Sequence, residues 1–126
     1  MLRRTYYILL WVQGVYTFVT ALWALIDVDS FMKVTGPKHD VWLLKTVSAL
    51  LLALGIGMIT EAIVRSYSLP LLILILTSSI GLAIIDFYYS GKEVIWDIYK
   101  LDGAAQICFI VLWCFILSSY KSIKTR

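Results

Sequence analysis

Histidine and cysteine, the residues that most often build metal and nucleophilic sites, are scarce in this sequence. His39 is the only histidine, and it lies beside Asp40 in a predicted loop. Cys108 and Cys114 are six positions apart, about 240° around a helix, so they face different directions. This spacing argues against a disulfide, a CxxC redox motif or a metal pair. We therefore predict no metal and no cofactor, and nothing here favours an enzyme.

Charge is also scarce, at 15% of residues against 61% hydrophobic, with a mean hydropathy of +0.88. A soluble domain of 126 residues could not bury so much apolar surface. A helix needs roughly 20 apolar residues to cross a bilayer. Four segments meet this condition: residues 5–26, 41–64, 69–89 and 98–119. We predict an all-α fold, a four-helix transmembrane bundle with short loops, forming one integral membrane domain over residues 1–126.

The ends of the predicted spans are marked by capping and turn residues. Ser68 is a candidate N-cap for the third span, with Pro70 tolerated in its first turn. The segment 30–34 is expected to form a short interfacial helix. The first span is too long for a signal-peptide core, and Asp27 and Asp29 follow it where a small-residue cleavage site would be expected.

The basic residues predict the orientation of the bundle. The net charge of +3 is spread over ends and loops, which argues against a nucleic-acid partner. Six lysines and arginines fall on the side of the termini, and four fall on the opposite side. On the side of the termini they are Arg3, Arg4, Arg65, Lys121, Lys124 and Arg126. On the opposite side they are Lys33, Lys38, Lys92 and Lys100. This bias predicts both termini in the cytoplasm.

Lys45 stands in an otherwise uncharged stretch, about 6 Å from the start of the second span. A charge at this depth requires a partner, water or a function. Asp86, near the outer end of the third span, and Asp102, early in the fourth, are expected at comparable depth. We predict that the ammonium group meets these carboxylates in one layer. The sequence leaves open which aspartate pairs with Lys45.

Polar residues recur at helical spacing on every span and are expected to face the bundle interior. The first span contributes Gln13 to this surface and the fourth contributes Asp102 and Gln106. In the second span the predicted inward stripe is Lys45, Ser48, Ala49 and Leu52. In the third it is Ser79, Ala83 and Asp86.

These residues predict a pocket in the outer half that binds a small amphipathic ligand or a lipid headgroup. The candidate ligand-binding residues are Lys45, Asp86, Asp102, Gln106, Trp42, Trp96, Tyr99 and Gln13. Membrane lipid and a small amphipathic molecule are the expected partners. Alternatives are a proton- or ion-coupled transporter working as a homo-oligomer, a lipid-phase enzyme and a structural accessory subunit. In a purely structural role, Lys45 and its aspartates would fix helix register.

Glu61 is the other carboxylate inside a predicted span, and Arg65 follows one turn later. An i,i+4 ion pair at the inner interface is the expected arrangement. The length and four-span topology resemble the small multidrug transporters, which work through a buried glutamate in the first span. This chain has Gln13 in the first span instead.

A first span, a polar outer loop and three closely spaced spans together resemble the small bacterial four-helix proteins of the DoxX-like group. The resemblance covers most of the chain as topology and hydropathy. It implies a multi-pass protein of the bacterial inner membrane, and some members are associated with membrane redox or accessory roles. This chain lacks a paired cysteine motif for a redox role.

Overall fold

The computed structural model describes residues 2–119, and this part of the chain forms five helices and no strand. They are α1 (Leu2–Ile26), α2 (Val28–Thr35), α3 (Val41–Val64), α4 (Leu69–Gly91) and α5 (Ile98–Ser118). All but α2 are long and apolar enough to cross a membrane. The predicted all-α bundle is confirmed, and the short helix expected over residues 30–34 is α2. Lys121, Lys124 and Arg126, which entered the orientation count, lie outside the described residues.

Local sequence explains where several helices begin and end. The Ser68 side chain accepts a hydrogen bond of 3.2 Å from the Leu71 amide, so it caps α4 as predicted. Asp27 accepts from the Ser30 amide at 3.2 Å and caps α2. Gly36 ends α2 with a φ of 99°, a conformation that favours glycine.

The tightest packing in the bundle joins α1 to α3 and α4 to α5. A Cβ atom on Gly55 of α3 would lie 2.9 Å from the Phe18 backbone nitrogen of α1. Gly103 of α5 likewise receives the Phe87 ring of α4, which would lie 2.7 Å from an added Cβ. Small residues let neighbouring backbones or rings approach closely, as is common in membrane helices.

Two ends of the bundle can be distinguished by the elements they carry. The amino-terminal end contains the start of α1 and the turn between α3 and α4. The α2 end contains α2 and the loop between α4 and α5. The buried apolar core lies toward the amino-terminal end and includes Leu10, Met58, Leu72, Trp113 and Ile116.

The outer surface of the bundle is apolar, as a membrane environment requires. Leu50 is 69% exposed on α3, and Leu101 is 72% exposed on α5. Many other isoleucine, valine and leucine side chains of the four long helices are also exposed. With the helix lengths, this surface indicates a multi-pass membrane protein.

Candidate functional site

Lys45 does not lie in the bundle interior, so its predicted pairing with Asp86 or Asp102 is wrong. Its side chain is exposed on α3, and the described residues give it no ion pair. The Gly55–Phe18 contact sets the rotation of α3 against α1 and turns Ser48 inward in place of Lys45. A lysine this close to a helix end can extend its long side chain toward the interface, so it needs no carboxylate partner.

The aromatic residues predicted to wall the pocket occupy different surroundings at the α2 end. The Trp42 ring is 69% exposed on α3. Trp96 packs against Gly36, where an added Cβ would lie 2.9 Å from the indole ring. The Lys38 ammonium lies 5.2 Å from the Tyr99 ring centroid and donates to the Gly36 carbonyl at 2.9 Å. These contacts join the loop between α2 and α3 to the loop between α4 and α5. They do not bring Trp42, Trp96 and Tyr99 together as one wall of a pocket.

Asp86 and Asp102 do come together, between α4 and α5. Their carboxyl groups are close enough to interact electrostatically across the two helices. The Tyr16 hydroxyl of α1 donates a hydrogen bond to Asp102 Oδ1. Asp86 is buried, with 4% of its side chain exposed, whereas Asp102 is half-buried. Within residues 2–119 neither carboxylate has a lysine or arginine partner.

Gln106 extends this cluster one turn along α5 from Asp102. Its side chain is 3% exposed, and its Oε1 atom accepts no hydrogen bond from the described part of the chain. Asp86 Oδ2 is also buried without a donor there. An unsatisfied buried acceptor is costly, so each of these two oxygens requires a donor. We name Tyr16, Asp86, Asp102 and Gln106 the acidic site.

A second polar layer lies deeper in the bundle and is centred on Gln13. Its amide nitrogen donates to Ser79 Oγ at 2.8 Å, and its amide oxygen accepts from Trp113 Nε1 at 2.5 Å. All three side chains are buried, with at most 3% exposed. The inward position predicted for Gln13 is therefore correct, although it lies outside the acidic site and links α1, α4 and α5.

A third polar layer lies at the amino-terminal end, where the predicted Glu61–Arg65 ion pair is wrong. Glu61 is buried and accepts hydrogen bonds from the Tyr6 hydroxyl and from the Ser68 amide, the latter at 3.0 Å. Arg65 ends α3 in the left-handed conformation, with φ of 55°. That turn moves its guanidinium over the Tyr7 ring, 5.8 Å from the centroid. No cation pairs with Glu61 in the described ranges.

The three layers follow from helical spacing. Tyr6 and Gln13, Ser79 and Asp86, and Gln106 and Trp113 are each seven positions apart. Seven residues are nearly two turns, about 10.5 Å of rise, and return the side chain to the same face. The interior thus carries polar groups at three depths, separated by the apolar core residues.

Sequence reasoning missed Tyr16 and the polar role of Trp113. Tyr16 and Trp23 are seven positions apart, on one face of α1, and each is 36% exposed. Helical periodicity therefore places Tyr16 on a face that contacts lipid. Trp113 is a large apolar ring, yet its indole N–H is the donor that satisfies Gln13. A buried tryptophan or tyrosine needs a hydrogen-bond partner, and that requirement was the available signal.

No family model, curated protein or solved structure matches this chain. The observations above nevertheless define its class. Four apolar helices of membrane-spanning length enclose buried carboxyl, amide and hydroxyl groups, while the outward surface is hydrocarbon. By its structure, the chain is a multi-pass helical membrane protein with an acidic site between α4 and α5.

Proposed function

We propose that the protein binds a small amphipathic molecule with a protonated amine at the acidic site. The observation that carries this proposal is the pair of buried acceptors without donors, Asp86 Oδ2 and Gln106 Oε1. An ammonium group supplies both the missing hydrogen-bond donors and the positive charge that two adjacent carboxyl groups lack. The polar end of the amphipathic ligand predicted from the sequence is thus proposed to be an ammonium group.

The donor set favours an ammonium group over a metal ion. Across residues 2–119 no three His, Cys, Asp or Glu side chains gather into a ligand set. Two carboxyl groups, one amide oxygen and one phenol suit N–H donors, whereas hard divalent cations usually take six or more oxygen ligands.

The surroundings suit a ligand with an apolar body. Asp102 is half-buried and Tyr16 is 36% exposed, so the acidic site can be approached from the side where α1 meets α5. Apolar side chains flank it on the lipid side, including Leu101 and Ile85 at 72% and 51% exposed. A hydrocarbon tail could therefore stay in the bilayer while the amine reaches the carboxyl groups.

Calorimetric titration of the protein in lipid nanodiscs, with empty nanodiscs as reference, tests the proposal. The probes are decylamine, which carries N–H donors, and decyltrimethylammonium, which has the same charge and chain but no donor. We expect decylamine to bind at least about tenfold more tightly, since a hydrogen bond to a charged group contributes about 1.5–3 kcal/mol.

The control variants separate the acidic site from general surface charge. Asp86→Asn should abolish the preference for decylamine, whereas Asp97→Asn should retain it because Asp97 is exposed and paired with Lys100. Lowering the pH should weaken binding, because protons compete for the same carboxyl oxygens. Equal affinity for the two probes in the unaltered protein would remove the basis of the proposal.

Proton-coupled transport is a second candidate, and the three polar layers favour it. Carboxyl groups lie near both ends of the bundle, in the acidic site and at Glu61, with the Gln13 layer between them. Ionisable groups inside a membrane commonly form proton relays. A carrier would exchange a proton for the amine at the acidic site.

Proton flux into proteoliposomes containing a trapped pH dye distinguishes transport from binding alone. A potassium-diffusion potential should drive flux through the unaltered protein, and both Glu61→Gln and Asp86→Asn should reduce it to the level of empty vesicles. Flux no higher than that of empty vesicles in the unaltered protein would leave binding as the sole function.

A further inference from the structure

A groove of about 500 Å³ opens at the amino-terminal end, between the start of α1 and the end of α3. It is far along the bundle from the acidic site and has the opposite charge. Arg3, Arg4 and Arg65 line it together with Tyr7, Ile8 and Trp11. Among residues 2–119 the lining holds three guanidinium groups and no carboxylate, which makes this a strongly basic concavity. We name it the arginine groove.

The guanidinium groups of the arginine groove are not engaged by other charged side chains. Within residues 2–119 none of the three forms an ion pair, and their N–H groups donate no hydrogen bond to protein. The nearest buried carboxylate, Glu61, faces the interior and is held by Tyr6 and Ser68. The basic charge is thus available to a ligand.

Two of the arginines lie over tyrosine rings. The Arg3 guanidinium lies 5.2 Å from the Tyr67 ring centroid, and Arg65 lies 5.8 Å from that of Tyr7. The Tyr7 hydroxyl donates to the Arg65 carbonyl at 2.8 Å, which holds this turn against α1. A cation–π contact uses none of the guanidinium N–H groups as hydrogen-bond donors, so these donors remain free for an anion.

Below the arginines the lining becomes apolar. Ile8 and Trp11 are 52% and 43% exposed on α1. Measured from Arg3, they lie about 7.5 Å and 12 Å deeper along the helix. The arginine groove therefore presents a basic rim at the membrane boundary and a hydrocarbon strip that runs toward the bilayer centre, which is the polarity profile of a phospholipid.

We propose that the arginine groove binds a phospholipid with a net negative headgroup, from the leaflet that faces the amino-terminal end. The headgroup phosphate accepts hydrogen bonds from the guanidinium edges, which match phosphate oxygens in pairs. One acyl chain lies along Ile8 and Trp11. Charge complementarity selects an anionic lipid over a zwitterionic one, because the described lining supplies three positive charges and no negative charge.

Quenching of tryptophan fluorescence by brominated lipids tests this proposal, since Trp11 lies in the groove. The protein is reconstituted into symmetric vesicles with bromine on the acyl chains of either phosphatidylglycerol or phosphatidylcholine, at equal bromine content. We expect about fivefold or greater preference for the anionic lipid at Trp11. A fivefold change corresponds to about 1 kcal/mol, the contribution of one basic residue near a membrane surface.

Three controls localise the effect. Trp11→Phe should remove the difference between the two lipids, because the reporter is lost while the partly exposed position 11 keeps an apolar aromatic ring. Arg3→Gln/Arg65→Gln should bring the preference near one, whereas Lys33→Gln/Lys92→Gln, which removes equal charge at the α2 end, should preserve it. Symmetric vesicles make these results independent of insertion direction.

Several outcomes would overturn the proposal. Equal quenching by the two lipids in the unaltered protein would show no selectivity. A preference that persists in Trp11→Phe would locate the anionic lipid at another tryptophan. Loss of the preference in tens of millimolar inorganic phosphate would assign the groove to free phosphate. None of these outcomes depends on the acidic site, so the proposed amine binding stands or falls separately.

Discussion

Ionisable residues with similar sequence surroundings occupy different environments in this bundle. Lys45 and Asp86 are both ionisable groups near the α2 end of a span. Lys45 is exposed, while Asp86 is buried with an unsatisfied oxygen. A lysine has four methylene groups with which to reach the interface, whereas an aspartate has one. Only the aspartate therefore depends on the bundle interior for its partners.

Substitution of Lys45 by methionine tests the assignment of this residue to the surface. Because the ammonium group has no ion pair in the described part of the chain, we expect the free energy of unfolding to change by less than about 0.5 kcal/mol. Detergent-solubilised protein unfolded by sodium dodecyl sulfate provides the measurement. A decrease of several kcal/mol in the free energy of unfolding would instead indicate that Lys45 forms a buried ion pair with an aspartate.

Gln13 is the residue on which the middle polar layer depends. Gln13→Ala leaves both Trp113 Nε1 and Ser79 Oγ without this partner in a buried layer. We expect a loss of about 1–2 kcal/mol in the free energy of unfolding. Thr77→Val is the matched control, because its hydroxyl donates only to carbonyls of its own helix, at 2.8 and 3.2 Å. Equal effects of the two substitutions would contradict the assigned role.

At the scale of elements, α1 organises the interior. It contributes Tyr6, Gln13 and Tyr16 to the three polar layers and packs most closely against α3. Tyr6 bonds to Glu61 of α3. Gln13 and Tyr16 form hydrogen bonds with Ser79 of α4 and with Trp113 and Asp102 of α5. Helix α1 therefore joins the α1–α3 pair to the α4–α5 pair. The polar bonds are directional, so they fix the relative orientation of the helices more than apolar packing does.

The α1–α3 contact can be tested with two glycine substitutions. Gly55→Ala places a Cβ atom 2.9 Å from the Phe18 backbone, so one helix must shift, and we expect a loss of about 1–3 kcal/mol. Gly81→Ala has no atom within 4 Å of its added Cβ and should be neutral or stabilising by up to about 1 kcal/mol. The comparison uses unfolding in the same detergent, and a reversed order of the two effects would argue against this interface.

The whole molecule is electrically asymmetric. Arginines gather at the amino-terminal end in the arginine groove, while the α2 end mixes lysines with the exposed aspartates Asp27, Asp29, Asp40 and Asp97. Lysine and arginine in short loops set insertion direction, so we expect the amino-terminal end to face the cytoplasm. The same arrangement would present the acidic site toward the opposite side and the arginine groove to the cytoplasmic leaflet.

Cysteine accessibility in intact cells tests this orientation. In a background of Cys108→Ala and Cys114→Ala, His39→Cys reports on the α2 end and Ser66→Cys on the amino-terminal end. Both replaced side chains are exposed in loops. A membrane-impermeant maleimide should label position 39 in intact cells and position 66 only after lysis. The reverse pattern would invert the orientation of both sites.

The predicted four spans agree closely with the observed helices because hydropathy and helix length are local properties. Residues 41–64 were predicted for the second span, and α3 is Val41–Val64. The inward stripes of Ser79, Ala83 and Asp86 on α4 and of Gln106 on α5 are also confirmed by burial. Lys45 and Glu61 were misassigned, and Tyr16 was missed, because their environments depend on helix rotation and on the turn at Arg65.

The amino-acid sequence alone determined that this chain forms four membrane-spanning helices, because a hydrocarbon solvent admits long apolar segments only with their backbone hydrogen bonds made internally. It also determined which faces are polar, through the 3.6-residue period. The tertiary structure alone decided which polar groups meet. Close packing at Gly55 set the rotation that leaves Lys45 outward, and packing of Phe87 on Gly103 joined the helices that carry Asp86 and Asp102. A contact between two helices cannot be encoded within either one.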